Sequence, residues 1–587
     1  METIIRYNKK CGVFSCMLIA LVLGACKENL SELNLNPNAL TDDKVNPAFV
    51  LTGILAGTTG NLAELSFTGN VTQCVIPQAM QYTQRDYLEF VVTNQFGWYT
   101  ISWDYRGLHQ PLSNACYLET RAQDSPDSLF LKGAALTMQA FWYGMQTSIW
   151  GDIPYSQAYQ GSAYLQPVFD AQQDVFAGLL NNLEQANRYL MQVSGPVSST
   201  VQDADLLYGG EALLWRKFAN SLRLRYLLRL SEKVADMQAA GIDVPGEFEK
   251  MVSDPATYPI IVSSAENASL SFPGTNAGDS YPLGPLGSPS DHEFYRIKAG
   301  ATLVDFLEEQ RDPRLAVWFR PVAVQTLVRD KGADVVIAKD TDGRVKRFLK
   351  TYRPDIDTSL FVGLKIALTD PNSYNGFDAA QLSQANGLDP SIYNGGAANP
   401  FVSYLAPMYR ADADPLVKSV MLSAAEIHFT LAEAANRGWI QRDVLQDYLA
   451  GIFASLEQYG IADGSAKVYD TKTHQLVDFD QADFRAALTE EFQETTDKEE
   501  LILQQKWAAS FTTMEGWFDW RRTGYPRLGT NLVNGPQGEK IPVRYMYGDS
   551  ELNYNRSNTE AAVSRLEPAT NEQWSKMWLI QGTGNPW

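Results

Sequence analysis

Residues 211–230 read Glu-Ala-Leu-Leu-Trp-Arg-Lys-Phe-Ala-Asn-Ser-Leu-Arg-Leu-Arg-Tyr-Leu-Leu-Arg-Leu. Leu214, Phe218, Leu222 and Tyr226 recur every fourth residue, the spacing of one helix face, and Gly209-Gly210 marks the start. Arg216, Lys217, Arg223, Arg225 and Arg229 surround that stripe. The chain carries 48 basic against 68 acidic residues. Arginines on an apolar helix of an acidic chain are expected to pair with carboxylates inside a helical scaffold, not to wait for a ligand.

Working outward, Asp170 and Gln173 predict a capping box for a helix carrying Phe176, Leu179, Leu180, Leu183, Ala186 and Leu190 on one face. Ser423 and Glu426 predict a second capping box, and Gly438 stands where a left-handed C-cap would stop that helix. A further helix is expected from about Asp497 to Phe511. Between Leu129 and Ile149, Gly133, Ala134, Ala135, Ala140 and Gly144 alternate with Leu136, Met138, Phe141 and Trp142, as in interlocking helical hairpins. Two punctuated regions, 255–295 and 321–411, predict long irregular loops with short strands, and recognition is expected there. The fold class is therefore mainly α: one large helical domain with tetratricopeptide-like hairpins, although no strict repeat recurs.

With 45% hydrophobic and 20% charged residues the 587-residue chain is globular, and its pI near 4.8 argues against nucleic acid as a partner. Arg6, Lys9 and Lys10 precede an apolar run from Val13 to Leu23, which reads as a secretory signal. Leu23-Gly24-Ala25-Cys26 has the form of a lipobox, so residues 1–25 are expected to be removed, Cys26 lipidated, and residues 26–46 to tether the domain at 47–587. Lys27, not aspartate, follows the cysteine, which favours the outer membrane. No later stretch is expected to span a membrane. Of the other thiols, Cys74 and Cys116 remain open between a disulfide and two buried free thiols.

Several stretches, in order, resemble the SusD/RagB family of outer-membrane nutrient-binding lipoproteins. They are Trp150-Gly151-Asp152-Ile153-Pro154-Tyr155, the Phe218-Ala-Asn-Ser-Leu-Arg-Leu-Arg225 block, Asp312-Pro313-Arg314-Leu315, Glu426 to Trp439, and Gln504 to Gly524 with Ile541-Pro-Val-Arg-Tyr545. The resemblance implies a substrate-binding lid over a SusC-like TonB-dependent transporter, an oligosaccharide or oligopeptide ligand, attachment to the outer membrane through the lipid, and no enzymatic activity or cofactor.

Aromatic faces with directional polar groups suit such ligands. Candidate contacts are Tyr82, Arg85, Asp86, Tyr87, Asn94 and Trp98 in the first irregular stretch, and Tyr281, His292, Tyr295 and Trp318 in the middle region. Trp98, Trp103 and Tyr105 read equally as core of a helix over 95–117. Asp340-Thr341-Asp342-Gly343 lacks the ligand series of a calcium loop and reads as a turn, so no metal is expected. Two other classes compete: an exported carbohydrate- or peptide-degrading enzyme, for which no nucleophile or metal motif is visible, and a helical-repeat adaptor without a small ligand.

Overall fold

A computed structural model describes residues 44–68, 75–86, 106–329, 335–339, 345–378, 398–529 and 540–585. Helix α1 (Pro47–Ala63) opens on Asn46, whose side chain accepts from the Ala48 N–H at 3.0 Å, with proline at the first helical position. It buries Leu51, Ile54, Leu55 and Leu62 and turns Phe49, Gly53 and Ala56 outward. Contrary to the sequence expectation, Pro47–Thr68 is long and apolar enough to cross a membrane; here its inner face packs on α2 (Arg106–Ala122) and α3 (Ser128–Trp150).

The pairing continues through α4 (Gln172–Met191), α5 (Ala212–Arg229) and α6 (Val244–Ser253). Small residues set the spacing of these helices. A Cβ on Gly133 would lie 2.4 Å from Leu190 Cγ, and one on Gly144 only 1.9 Å from Tyr226 Oη. The predicted alternation of small and large residues is thus an interlock of α3 with α4 and α5.

The predicted cap on α4 is wrong in its acceptor. The helix starts at Gln172, whose N–H donates to Asp152 Oδ1 at 2.8 Å. Asp170 forms a bridge with Ile153, and its carboxylate instead accepts from the Tyr155 and Ser156 N–H groups, both at 2.9 Å.

A four-stranded antiparallel sheet follows in the order β1-β3-β8-β4: β1 Thr83–Arg85, β3 Ile297–Ala299, β4 Phe319–Arg320 and β8 Tyr404–Leu405. Arg85 pairs with Ile297 and Thr83 with Ala299, so the stretch that holds Tyr82, Arg85 and Asp86 is joined to the segment just after the 255–295 region. Short helices α7 (His292–Arg296) and α8 (Ala301–Glu309) flank β3. Strand β2 (Ala268–Ser271) pairs with β9 (Lys418–Leu422). An insertion made of β5 (Val324–Val328), β6 (Val335–Lys339) and β7 (Val345–Leu349) has its own small core of Val324, Val345, Phe377 and Phe401.

The C-terminal half adds α9 (Ala424–Asn436), α10 (Val444–Gln458), α11 (Lys498–Ala509) and α12 (Glu515–Thr523). A hairpin, β10 (Lys467–Asp470) with β11 (Gln475–Asp478), and two last helices, α13 (Asp549–Tyr554) and α14 (Arg556–Val563), complete it. Ser423 Oγ caps α9 by accepting from the Glu426 N–H at 3.2 Å, and Gly438 sits at φ +75° as expected.

The arginines of α5 are partnered inside the scaffold. Arg225 donates to Glu426 at 2.6 Å and to the Met421 carbonyl at 2.7 Å; Arg229 pairs with Glu515 and donates to Ser148 Oγ at 2.8 Å. Arg223 bridges Glu184 and Glu247. Beyond them Arg522 donates to Glu433 at 2.8 Å, and Lys506 pairs with Asp519 at 2.8 Å. Every one of these motif residues therefore holds helices together, as the sequence reading required.

Candidate functional site

Five of the expected ligand contacts are interior. Tyr82 is fully buried; its hydroxyl donates to the Trp507 carbonyl at 2.6 Å and its ring stacks on Trp507 with centroids 5.2 Å apart. Trp318 stacks on Phe511 at 4.6 Å, and Tyr281 meets Tyr409, which meets Phe511 in turn. Tyr82, Tyr281 and Trp318 do converge, but around Phe511, with no face left for a ligand.

Arg85 and Asp86 are buried too. Asp86 lies 3.4 Å from Lys298, both side chains wholly shielded, and accepts from the Asn399 N–H at 2.6 Å. Burial pushes the Asp86 carboxyl up and the Lys298 ammonium down, so the pair secures the sheet at a desolvation cost. Asp86, expected as a ligand contact, is thus paired inside the fold.

Of the remaining candidates, Tyr295 is half-buried, edge-on to Tyr404 at 5.4 Å, and Lys298 Nζ stands 5.7 Å from the Tyr404 centroid. His292 opens α7. Tyr87, Asn94 and Trp98, like Cys26, Cys74, Trp103, Tyr105 and the 340–343 turn, lie outside the described residues, and the described part of the expected 95–117 helix begins at Arg106. Cys116 is a free thiol.

A cleft of about 450 Å³ opens where the punctuated 255–295 region meets α1. One wall is Ala56, Thr59 and Gly60; a Cβ on Gly60 would meet nothing within 4 Å. Leu206, Leu207, Leu270, Phe272 and Pro273 supply apolar surface, and Ser269, Ser271, Ser280, Asp279 and Lys418 the polar groups. Its size and mixed lining suit a small oligomeric ligand.

The loop beside the cleft is pre-formed. Asp279 accepts from the Thr275 and Asn276 N–H groups at 2.7 and 2.9 Å, and Ser280 Oγ donates to the Asn276 carbonyl at 2.7 Å. Hydrogen bonds from Thr275 and then Asn276 hold the Asp279 carboxyl below its usual range. Gly274, at φ +67°, lies against Ala413, where a Cβ would come within 2.9 Å.

The 255–295 stretch borders this cleft, but none of the lining residues was among the candidate contacts named from the sequence. The small residues of α1 carry no chemistry of their own; their one signal was the spacing of Gly53, Gly57 and Gly60 on a helix. A second cleft of about 510 Å³ lies among α4, α5 and α6, where Arg223 bridges Glu184 and Glu247 and Lys250 stands 3.3 Å from Glu247; its charged lining suits an oligomeric nutrient less than the mixed lining of the first. Among the described residues no group of three or more His, Cys, Asp or Glu side chains is placed to hold a metal ion.

The sequence model of a SusD-like family, described as "Starch-binding associating with outer membrane", matches residues 37–548. Among solved structures, a chitin-binding protein is 21% identical, with 91% of this chain and 100% of that one covered at a TM-score of 0.67. A SusD homolog from Bacteroides fragilis is 22% identical, covering 92% and 100% at 0.65. A SusD-like protein from Bacteroides thetaiotaomicron is 18% identical, covering 92% and 100% at 0.61. No curated protein matches the sequence.

Proposed function

Because the chain belongs to the SusD-like family of starch-binding proteins that associate with the outer membrane, we propose that it is a lipoprotein anchored through Cys26 that captures an oligomeric nutrient. It faces the cell exterior and hands the ligand, as a hinged lid, to a SusC-like TonB-dependent transporter. The observation that carries the reading is the cleft between α1 and the 269–280 segment, with an open wall at Gly60 and a pre-formed loop beside it. Tyr295, half-buried against Tyr404, is the one aromatic candidate with a described side chain that keeps partial access to solvent, and we retain it as a contact.

The family description and the chitin-binding relative favour a glycan over a peptide. The protein is a binder in this reading, not a hydrolase. Calorimetric titration of the purified protein with neutral oligosaccharides and with peptide mixtures tests it: saturable binding of one glycan series is expected. Hydrolysis of that glycan, abolished by a single carboxylate substitution, would replace the reading with an enzyme. Cys26→Ser is expected to release the protein from the membrane fraction, and detergent extracts of the wild type are expected to carry a large β-barrel partner.

A further inference from the structure

The polar groups that line the cleft between α1 and the 269–280 segment divide by what they already bind. Asp279 is the only carboxylate among the lining residues, and both of its oxygens are taken. Oδ1 accepts from the Thr275 and Asn276 N–H groups at 2.7 and 2.9 Å; Oδ2 accepts from the Thr275 hydroxyl and, at 2.8 Å, from Asn276 Nδ2. A carboxylate offers about four lone-pair sites, so Asp279 has none left for a sugar hydroxyl. Thr59 Oγ1 donates to the Leu55 carbonyl at 2.9 Å and Ser280 Oγ to the Asn276 carbonyl at 2.7 Å, which commits both protons inside the fold.

What stays open lies along one face of the β2–β9 ladder. Ser271 stands opposite Lys418 and Ser269 opposite Val420, and residues two apart on a strand share a face. The alternate residues Ala268, Leu270 and Ser419 are buried, which leaves Ser269 half-buried and Ser271 and Lys418 exposed on the outer side. Directly opposed residues have Cβ atoms about 4.5–5.5 Å apart, so the Ser271 hydroxyl and the ammonium on its flexible stem can reach one acceptor group together. Among the described residues, the side chains of Ser269, Ser271 and Lys418 have no hydrogen-bond or ion-pair partner, although acidic residues outnumber basic ones by 68 to 48. Lys418 is also the only cation among the lining residues.

We infer that the ligand of this cleft carries an anionic group, a sugar carboxylate or a sulfate ester, seated on the strip of Ser269, Ser271 and Lys418; the inference rests on the glycan-capture reading above and names the class of glycan that reading leaves open. Both groups present what the strip lacks, several acceptor oxygens around a negative charge, and an ammonium hydrogen bond to such an oxygen is about twice as strong as a neutral one. A neutral sugar must instead pair its hydroxyl protons with acceptors that Asp279 has already committed. Leu206, Leu207, Phe272 and Pro273 beside the strip cover the C–H faces of the ring that bears the charge. The net charge of −20 opposes an anion only weakly at contact, because charges farther off than about 8–10 Å are largely screened at physiological salt.

The test titrates the purified protein calorimetrically with uronate oligosaccharides of several linkages, each beside the same oligomer after reduction of its carboxyls to alcohols and beside that reduced oligomer carrying sulfate esters. At least one acidic member is expected to bind at least tenfold tighter than its reduced counterpart and to lose most of that advantage between about 20 and 500 mM salt. Whether the uronate or the sulfated form carries the gain separates the two sources of charge. Lys418→Gln should bring the acidic and reduced forms to within twofold of each other, while Lys418→Arg, which keeps the charge, should retain a clear acidic preference; thermal unfolding of both variants reports that they fold. Reduced oligomers that bind as tightly as their acidic counterparts in every set, or an acidic preference that persists in Lys418→Gln, overturn the inference and leave the capture reading standing. A wild type that binds no oligosaccharide, acidic or neutral, sinks the capture reading and this inference with it.

Discussion

Gly60→Leu separates the cleft from the scaffold that frames it. Gly60 lies within α1, away from the left-handed backbone region, and a Cβ there meets nothing within 4 Å. A glycine inside a helix is about 0.8–1 kcal/mol less favourable than alanine, and leucine is close to alanine, so the substitution should stabilise the fold by about 0.5–1 kcal/mol. Its side chain enters the space of about 450 Å³ opposite Phe272 and Pro273. A ligand occupying that space should lose at least about tenfold in affinity, or about 1.4 kcal/mol. Gly53→Leu is the control: it too has open space around its Cβ, it lies outside the cleft lining, and it should bring the same helix gain with affinity unchanged. Calorimetric titration with the glycan that binds the wild type, beside thermal unfolding of all three proteins, reads both quantities. A Gly60→Leu protein of undiminished Tm that binds within twofold of wild type would show that the ligand does not use this cleft.

Glu433→Gln removes the carboxylate shared by Arg522, Lys506 and Arg437 and should cost about 3–5 kcal/mol in urea unfolding, since it strands buried cations. Burial alone would raise Glu433 and Asp519, but Arg522 and Lys506 hold both below the usual range. Their contribution is complete above about pH 5 and is lost as pH falls through and below the unfolded values of about 4, which a Tm-against-pH curve will show. Glu308 behaves oppositely: burial, with Asp357 and Asp305 nearby, pushes its carboxyl up to about 8. Glu308→Gln should therefore match wild type near pH 4 and become the more stable protein as pH rises through 8; equal Tm values at both ends would refute the shift. Burial pushes the Cys116 thiol up to about 12, so it should resist alkylation at pH 8 until the protein unfolds.

What could be read ahead of the structure followed from local periodicity. The stripe of α5, the serine cap of α9 and the small-residue interlock of α3 depend on neighbours a few residues away, and each is where the pattern put it. The cap of α4 was misassigned because its acceptor, Asp152, stands twenty residues upstream of the N–H it receives. Tyr82 and Trp318 were misjudged for a related reason: whether an aromatic ring is covered depends on Trp507 and Phe511, and Tyr82 is 425 residues from Trp507. The cleft lining was not legible, because one wall is Ala56, Thr59 and Gly60 of α1, small residues whose helical spacing singles out no site.

The ion pairs of α5 also carry a consequence for the order in which the molecule is assembled. Arg225 precedes Glu426 by 201 residues and Arg229 precedes Glu515 by 286, so on a chain delivered across a membrane N-terminus first the arginines arrive well before their carboxylates. Until those arrive, α5 cannot bury these guanidinium groups without the cost of desolvating them unpaired. The N-terminal helices therefore have a built-in reason to remain open until the distal half of the chain is present, and a fragment ending before α9 should fail to fold however well its hydrophobic pattern reads.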